Sequence, residues 1–117
     1  MSAAVTIYHN PKCSKSRETL ELLRRRGIEP QVVDYLKTPP DAATLRRLLA
    51  ALGLSSRQLL RAKEAAEAGL NDPGLSDEAL IEAMVRTPAV IERPIVVVGE
   101  RAALGRPPEA VLALLEP

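Results

Sequence analysis

The chain has 117 residues, enough for one domain with a single hydrophobic core. Sixteen basic residues against fifteen acidic ones leave it nearly neutral, which excludes a nucleic-acid binder that relies on bulk positive charge. Trp and Phe are absent and Tyr8 and Tyr35 are the only aromatics, so the core must be aliphatic and a ligand that needs stacking finds little here.

The single cysteine, Cys13, rules out an intrachain disulfide and a thiol-based metal cluster, so no metal site is expected. A lone free thiol points to a reducing compartment, and the cytoplasm is the expected location. Met1-Ser2-Ala3-Ala4 carries no leader pattern, and no run approaches the roughly 18 apolar residues of a membrane span.

In chain order, residues 4–8 read as a short apolar strand. Ser14 to Arg26 then reads as a helix with Leu20 and Leu23 inward and Gly27 as its stop. Gln31 to Tyr35 restores a strand after Pro30, completing a βαβ unit whose right-handed crossover makes the two strands parallel. Thr38-Pro39-Pro40-Asp41 breaks the chain, and Asp41 or a neighbour can cap a helix carrying Leu45, Leu48, Leu49 and Leu52. Gly53 ends that helix, and Ser55 or Ser56 caps a short one through Leu59-Leu60-Arg61. Ser76-Asp77-Glu78 opens another, with Leu80, Ile81, Met84 and Val85 on one face. No strand signal lies between Tyr35 and Glu92. Ile95-Val96-Val97-Val98 after Pro94 is a buried strand, and Gly99-Glu100 turns it into a hairpin with Arg101-Ala102-Ala103-Leu104. Gly105-Arg106-Pro107-Pro108-Glu109 starts a final helix with Val111, Leu112, Leu114 and Leu115 inward.

The order βαβ, helical insertion, ββα predicts an α/β fold with a four-stranded mixed sheet and flanking helices. Periodicity alone leaves other α+β topologies open; the position of Cys13 narrows the choice to a thioredoxin-like fold. One domain is expected over residues 1–117, with the helical insertion over about 38–90 between strands 2 and 3.

Cys13 sits where the first strand hands over to the first helix. Unpaired N–H groups and the positive end of the helix dipole stabilise a thiolate there and pull its pKa down from roughly 8.5. Lys12, Lys15 and Arg17 push the same way, and flanks this polar leave little apolar surface in which to bury a structural cysteine. Three arginines, Arg61, Arg93 and Arg106, each lie at the edge of a predicted element. A guanidinium fork matches an oxyanion, although a single arginine at an element end is commonly a solvated charge.

His9-Asn10-Pro11-Lys12-Cys13-Ser14-Lys15-Ser16-Arg17, Leu59-Leu60-Arg61, Glu92-Arg93-Pro94-Ile95-Val96-Val97 and Leu104-Gly105-Arg106-Pro107 resemble the motifs of the glutaredoxin-coupled arsenate reductase family. Each string is short, but four in order over nearly the whole chain are specific to that family or its near relatives. The resemblance implies that Cys13 is the nucleophile and that Arg61, Arg93 and Arg106 bind the oxyanion. It implies that His9 tunes the Cys13 pKa as a cation or hydrogen-bond donor and that the Arg93–Pro94 bond is cis; Ser14, Ser16 and Arg17 are placed to supply anion contacts, though Arg17 can equally lie along the helix surface. Asn10 is expected to order the loop.

By the same resemblance the Cys13 thiolate attacks arsenate, glutathione attacks the adduct as co-substrate, arsenite leaves, and glutaredoxin reduces the mixed disulfide. No bound cofactor and a monomeric protein are expected. The chain departs from the family's usual pattern in Ser14-Lys15 after the cysteine, which adds charge near the pocket. It also stops soon after the last predicted helix, where such reductases often carry a longer tail. A second reading is a redox regulator of the same fold or another glutathione-dependent oxidoreductase; Ser16 stands where such regulators carry the second cysteine of a switch. A cysteine phosphatase requires Cys and Arg separated by five residues, whereas three separate Cys13 from Arg17.

Overall fold

The computed structural model describes residues 4–115. They divide into two compact units, one formed by the chain through Thr38 and again from Arg93, the other by Pro39–Glu92.

The first unit holds the sheet. Strands β1 (Val5–His9), β2 (Gln31–Asp34), β3 (Ile95–Val98) and β4 (Arg101–Leu104) lie in the order β2-β1-β3-β4. β1 pairs with β2 in parallel, and the β1–β3 and β3–β4 pairs are antiparallel. Helix α1 (Ser14–Arg25) makes the crossover between β1 and β2, and Gly27, at φ 80°, provides the left-handed turn after it. Ile7, Leu23, Val96, Val111 and Leu114 form the core, an aliphatic one as the absence of large aromatics requires. Strand alternation puts His9 on the face of buried Ile7, which is why a histidine at the end of β1 is itself buried.

Two expectations are corrected in this unit. Tyr35 stands outside β2, which ends at Asp34, and begins the turn after it. The last helix, Pro108–Leu115, has the tighter 3-10 geometry, and it buries Val111 and Leu114 while Leu112 and Leu115 stay half-exposed.

The second unit is helical. Helix α2 (Ala42–Leu52) starts at Asp41, whose carboxylate accepts from the Thr44 N–H at 2.8 Å, and stops at Gly53. Helix α4 (Asp77–Arg86) starts at Ser76, which accepts from the Ala79 N–H at 3.1 Å. Buried Leu45, Leu48 and Leu49 of α2 and Leu80, Ile81 and Met84 of α4 lie on helices that pack together. The short helix expected through Arg61 is a 3-10 turn over Arg57–Leu59, followed by α3 (Ala62–Glu67), which hydrophobic periodicity had not signalled. Its sequence, Ala-Lys-Glu-Ala-Ala-Glu, is instead made of strong helix formers. An isolated antiparallel bridge joins Leu60 to Ile91.

Candidate active site

Cys13 is the N-cap residue of α1, with extended backbone, and it is partly exposed. Asn10 shapes the loop before it. The Asn10 carbonyl accepts from the Cys13 N–H at 3.0 Å, and its side-chain oxygen accepts from the Lys12 N–H at 3.0 Å. Its own N–H donates to Ser16 Oγ at 3.0 Å. Arg17 braces the same loop by donating from Nη1 to the Pro11 carbonyl at 2.9 Å. Ser14, the first residue of α1, is exposed.

Burial opposes ionisation of the Cys13 thiol. Hydrogen bonds from the Ser16 backbone, the Arg93 side chain and the Lys15 backbone, with the Arg93 charge, outweigh it, so the pKa falls below the ordinary thiol value. Two consecutive amides of the first turn of α1 therefore aim at the sulfur, as its position at a helix N-terminus dictates. Arg106 adds a further donor, its Nη2 lying 3.7 Å from the Cys13 sulfur. The Arg106 Nε donates to the Arg93 carbonyl at 2.8 Å, so the two arginines brace each other around the thiol.

The backbone at these arginines is closely packed. The Arg93–Pro94 and Arg106–Pro107 bonds are both cis. Gly105 donates its N–H to the Pro94 carbonyl at 3.0 Å. A Cβ on Gly105 would lie 2.7 Å from Pro94 Cγ and closer still to the hydroxyl of Thr19, a fully buried residue of α1. Only glycine lets β4 run this near to Pro94 before delivering Arg106.

His9 Nδ1 lies 2.5 Å from Ser16 Oγ. Burial lowers its pKa, and the Arg24 and Arg17 charges add to this against the opposing Asp34, so the neutral imidazole is favoured over the cation. Its contact is thus with the residue whose backbone N–H serves the thiolate. Tyr35, read from sequence only as a strand residue and one of two aromatics, is only 2% exposed and makes side-chain hydrogen bonds with Asn10 and Arg93. Burial, above all, pushes its phenol up to about 12.

Arg61 belongs to the helical unit, at the N-cap of α3. Its Nε donates to Glu64 at 3.0 Å and its Nη1 to Glu92 at 3.1 Å. Burial works against its charge, and the two carboxylates more than compensate, raising its pKa. Its backbone N–H donates to the Val90 carbonyl at 2.8 Å, and Glu92 N–H to the Leu59 carbonyl at 2.8 Å, so both ends of the Arg61–Glu92 pair are fixed by backbone bonds.

Cys13, Arg93 and Arg106 together form a nucleophile with two guanidinium groups at the sulfur, an arrangement that can bind an oxyanion and attack its central atom. Among the described residues, no group of three or more His, Cys, Asp or Glu is placed to hold a metal ion. No helix among them is long and apolar enough to cross a membrane.

Residues 8–114 match the ArsC family. "Uncharacterized protein YfgD" of Escherichia coli (strain K12) is 58% identical over 118 residues, covering 98% of this chain and 99% of that protein. "Arsenate reductase" of Rhizobium meliloti (strain 1021) is 52% identical over 113 residues, covering 95% of this chain and 81% of that protein. Among solved structures, "Arsenate reductase from Vibrio cholerae" is 52% identical with a TM-score of 0.93, over 98% of this chain and all of that one.

Proposed function

The chain belongs to the ArsC family, and from that premise we propose that it reduces arsenate to arsenite, with Cys13 as attacking thiol and glutathione and glutaredoxin as reductants. The observation that carries this is the Cys13 thiol at the start of α1, with its lowered pKa and the Arg93 and Arg106 donors upon it.

In the proposed cycle, the Cys13 thiolate forms a sulfur–arsenic bond and an arsenate oxygen leaves as water. Glutathione then attacks the adduct, and the two thiols give up two electrons to arsenic. As(V) becomes As(III), arsenite leaves, and the two sulfurs end as a Cys13–glutathione disulfide. Glutaredoxin reduces that disulfide and restores the thiol. Having no second cysteine, the chain relies on such outside thiols.

Arsenate at neutral pH carries negative charge that the arginines offset, and each well-placed donor at a developing oxyanion is worth roughly 3–4 kcal/mol. Arg93 and Arg106 take this role beside the sulfur, with the first-turn amides of α1 as further donors. Family resemblance also assigns the oxyanion to Arg61, for which arsenate would compete with Glu64 and Glu92.

The deciding experiment is arsenate-dependent NADPH consumption in the presence of glutathione, glutaredoxin and glutathione reductase. Turnover by the native protein that vanishes in Cys13→Ser is expected. No turnover by the native protein, with each coupling component verified, would overturn the proposal.

A further inference from the structure

Tyr35 is buried at the edge of the thiol site and bonded to two of the residues that build it. It follows Asp34, which is in register with His9, so the end of β2 carries Tyr35 to the level of the Cys13 loop. Asn10 and Arg93, its hydrogen-bonding partners, are themselves 5% and 8% exposed. We propose that Tyr35 is a positioning residue: its hydroxyl ties the Arg93 guanidinium to Asn10 of the Cys13 loop and so holds that cation against the sulfur.

The chemistry of a phenol suits the task. Arg93 offers only donors, and Asn10, whose side-chain oxygen accepts from the Lys12 N–H, also carries an NH2 donor. A phenol oxygen can accept from such donors, and both side chains hydrogen-bond with Tyr35. A carboxylate would do so too, as Glu64 and Glu92 do for Arg61, but its negative charge would oppose a neighbouring thiolate. Tyr35, a phenol kept protonated by burial, accepts while staying neutral. The part of this role that concerns oxyanion binding rests on the reductase proposal; the part that concerns the thiol does not.

The test is the pH dependence of Cys13 alkylation by iodoacetamide in the native protein, Tyr35→Phe, Arg93→Ala and the double variant. Tyr35→Phe is expected to move the titration midpoint upward and slow alkylation at neutral pH by about three- to tenfold, the effect of one hydrogen bond. In the Arg93→Ala background the same change is expected to do nothing further, because the hydroxyl acts through that guanidinium. A loss of packing alone would lower the melting temperature without moving the thiol titration. Should Tyr35→Phe fail to fold, Tyr35→Met, apolar and adaptable in shape, is expected to give the same upward shift. An unchanged midpoint, or equal shifts with and without Arg93, would overturn the assignment. Alkylation needs no arsenate, so absent arsenate turnover with a shifted thiol counts against the reductase proposal alone.

Discussion

Arg106 places its Nη2 3.7 Å from the sulfur of Cys13, a residue 93 positions earlier in the chain. Guanidinium and thiol meet because β4 and Gly105 deliver the arginine to the start of α1. Arg106→Ala removes a charge-assisted contact and is expected to reduce kcat/KM for arsenate by roughly ten- to a hundredfold, from the 1.5–3 kcal/mol typical of such bonds. Arg106 is exposed, so the melting temperature should stay nearly unchanged. Steady-state kinetics and a thermal melt check both.

The lowered Cys13 pKa makes the thiol's reactivity and its effect on stability depend on pH in a fixed sense. Alkylation should reach half its maximal rate below the ordinary thiol midpoint of about 8.5. Because the folded value is depressed, the thiolate's contribution to stability is complete above the unfolded pKa and is lost as pH falls through the folded one. Urea midpoints of native protein and Cys13→Ser should therefore diverge, in favour of the native protein, as pH rises toward about 9.

His9 shifts pKa downward as well, but for a base the consequence reverses in meaning. Below the ordinary histidine pKa of about 6.5, the unfolded chain takes up a proton that folded His9 resists, so stability falls as pH drops. The loss ends once the pH passes below the folded pKa and both states are protonated. His9→Gln should flatten this part of the stability curve, measured as urea midpoints between about pH 7.5 and 5 against the native protein.

Gly105→Ala tests the close approach behind Arg106. Its Cβ would meet Thr19 and Pro94 in a buried setting, and overpacking of this kind typically costs about 1–3 kcal/mol. A fall in melting temperature on the order of 5–15 °C is expected, by the usual scaling for a domain of this size. Adding Thr19→Ala to the same chain should recover part of it, because Thr19 supplies two of the three close contacts.

Arg61→Ala separates anchoring from catalysis. Its pairs with Glu64 and Glu92 are partly exposed, and such pairs contribute roughly 0–1 kcal/mol, so the melting temperature should move little. Loss of an oxyanion contact would instead raise KM or lower kcat at least tenfold, a separation that steady-state kinetics against a thermal melt reads directly. Native-like kinetics would remove Arg61 from the mechanism.

Most of the secondary structure, and the placement of Cys13 at the start of a helix, follow from local sequence. Apolar runs located β1 and β3, helical periodicity located α1 and α4, and Asp41, Gly53 and Ser76 marked helix ends through local backbone bonds that tertiary contacts do not alter. Cys13 was legible for the same reason: a strand-to-helix junction is a local feature, and the donors it offers come with the helix. Helix α3 escaped because it buries only Ala65, so propensity rather than periodicity forms it. Tertiary structure alone decided which charges face the thiol and with what partners. Arg61, Arg93 and Arg106 look alike along the chain, yet Glu64 and Glu92 engage the first while the other two reach the Cys13 sulfur. Tyr35 read as a strand residue until the fold buried it against Asn10 and Arg93. Hydrogen bonds between residues tens of positions apart depend on distances that no local pattern encodes, which is why the strands, the helices and the thiol with its helix amides could be read locally, while the arginines were implied by resemblance alone until the fold set two of them at the sulfur.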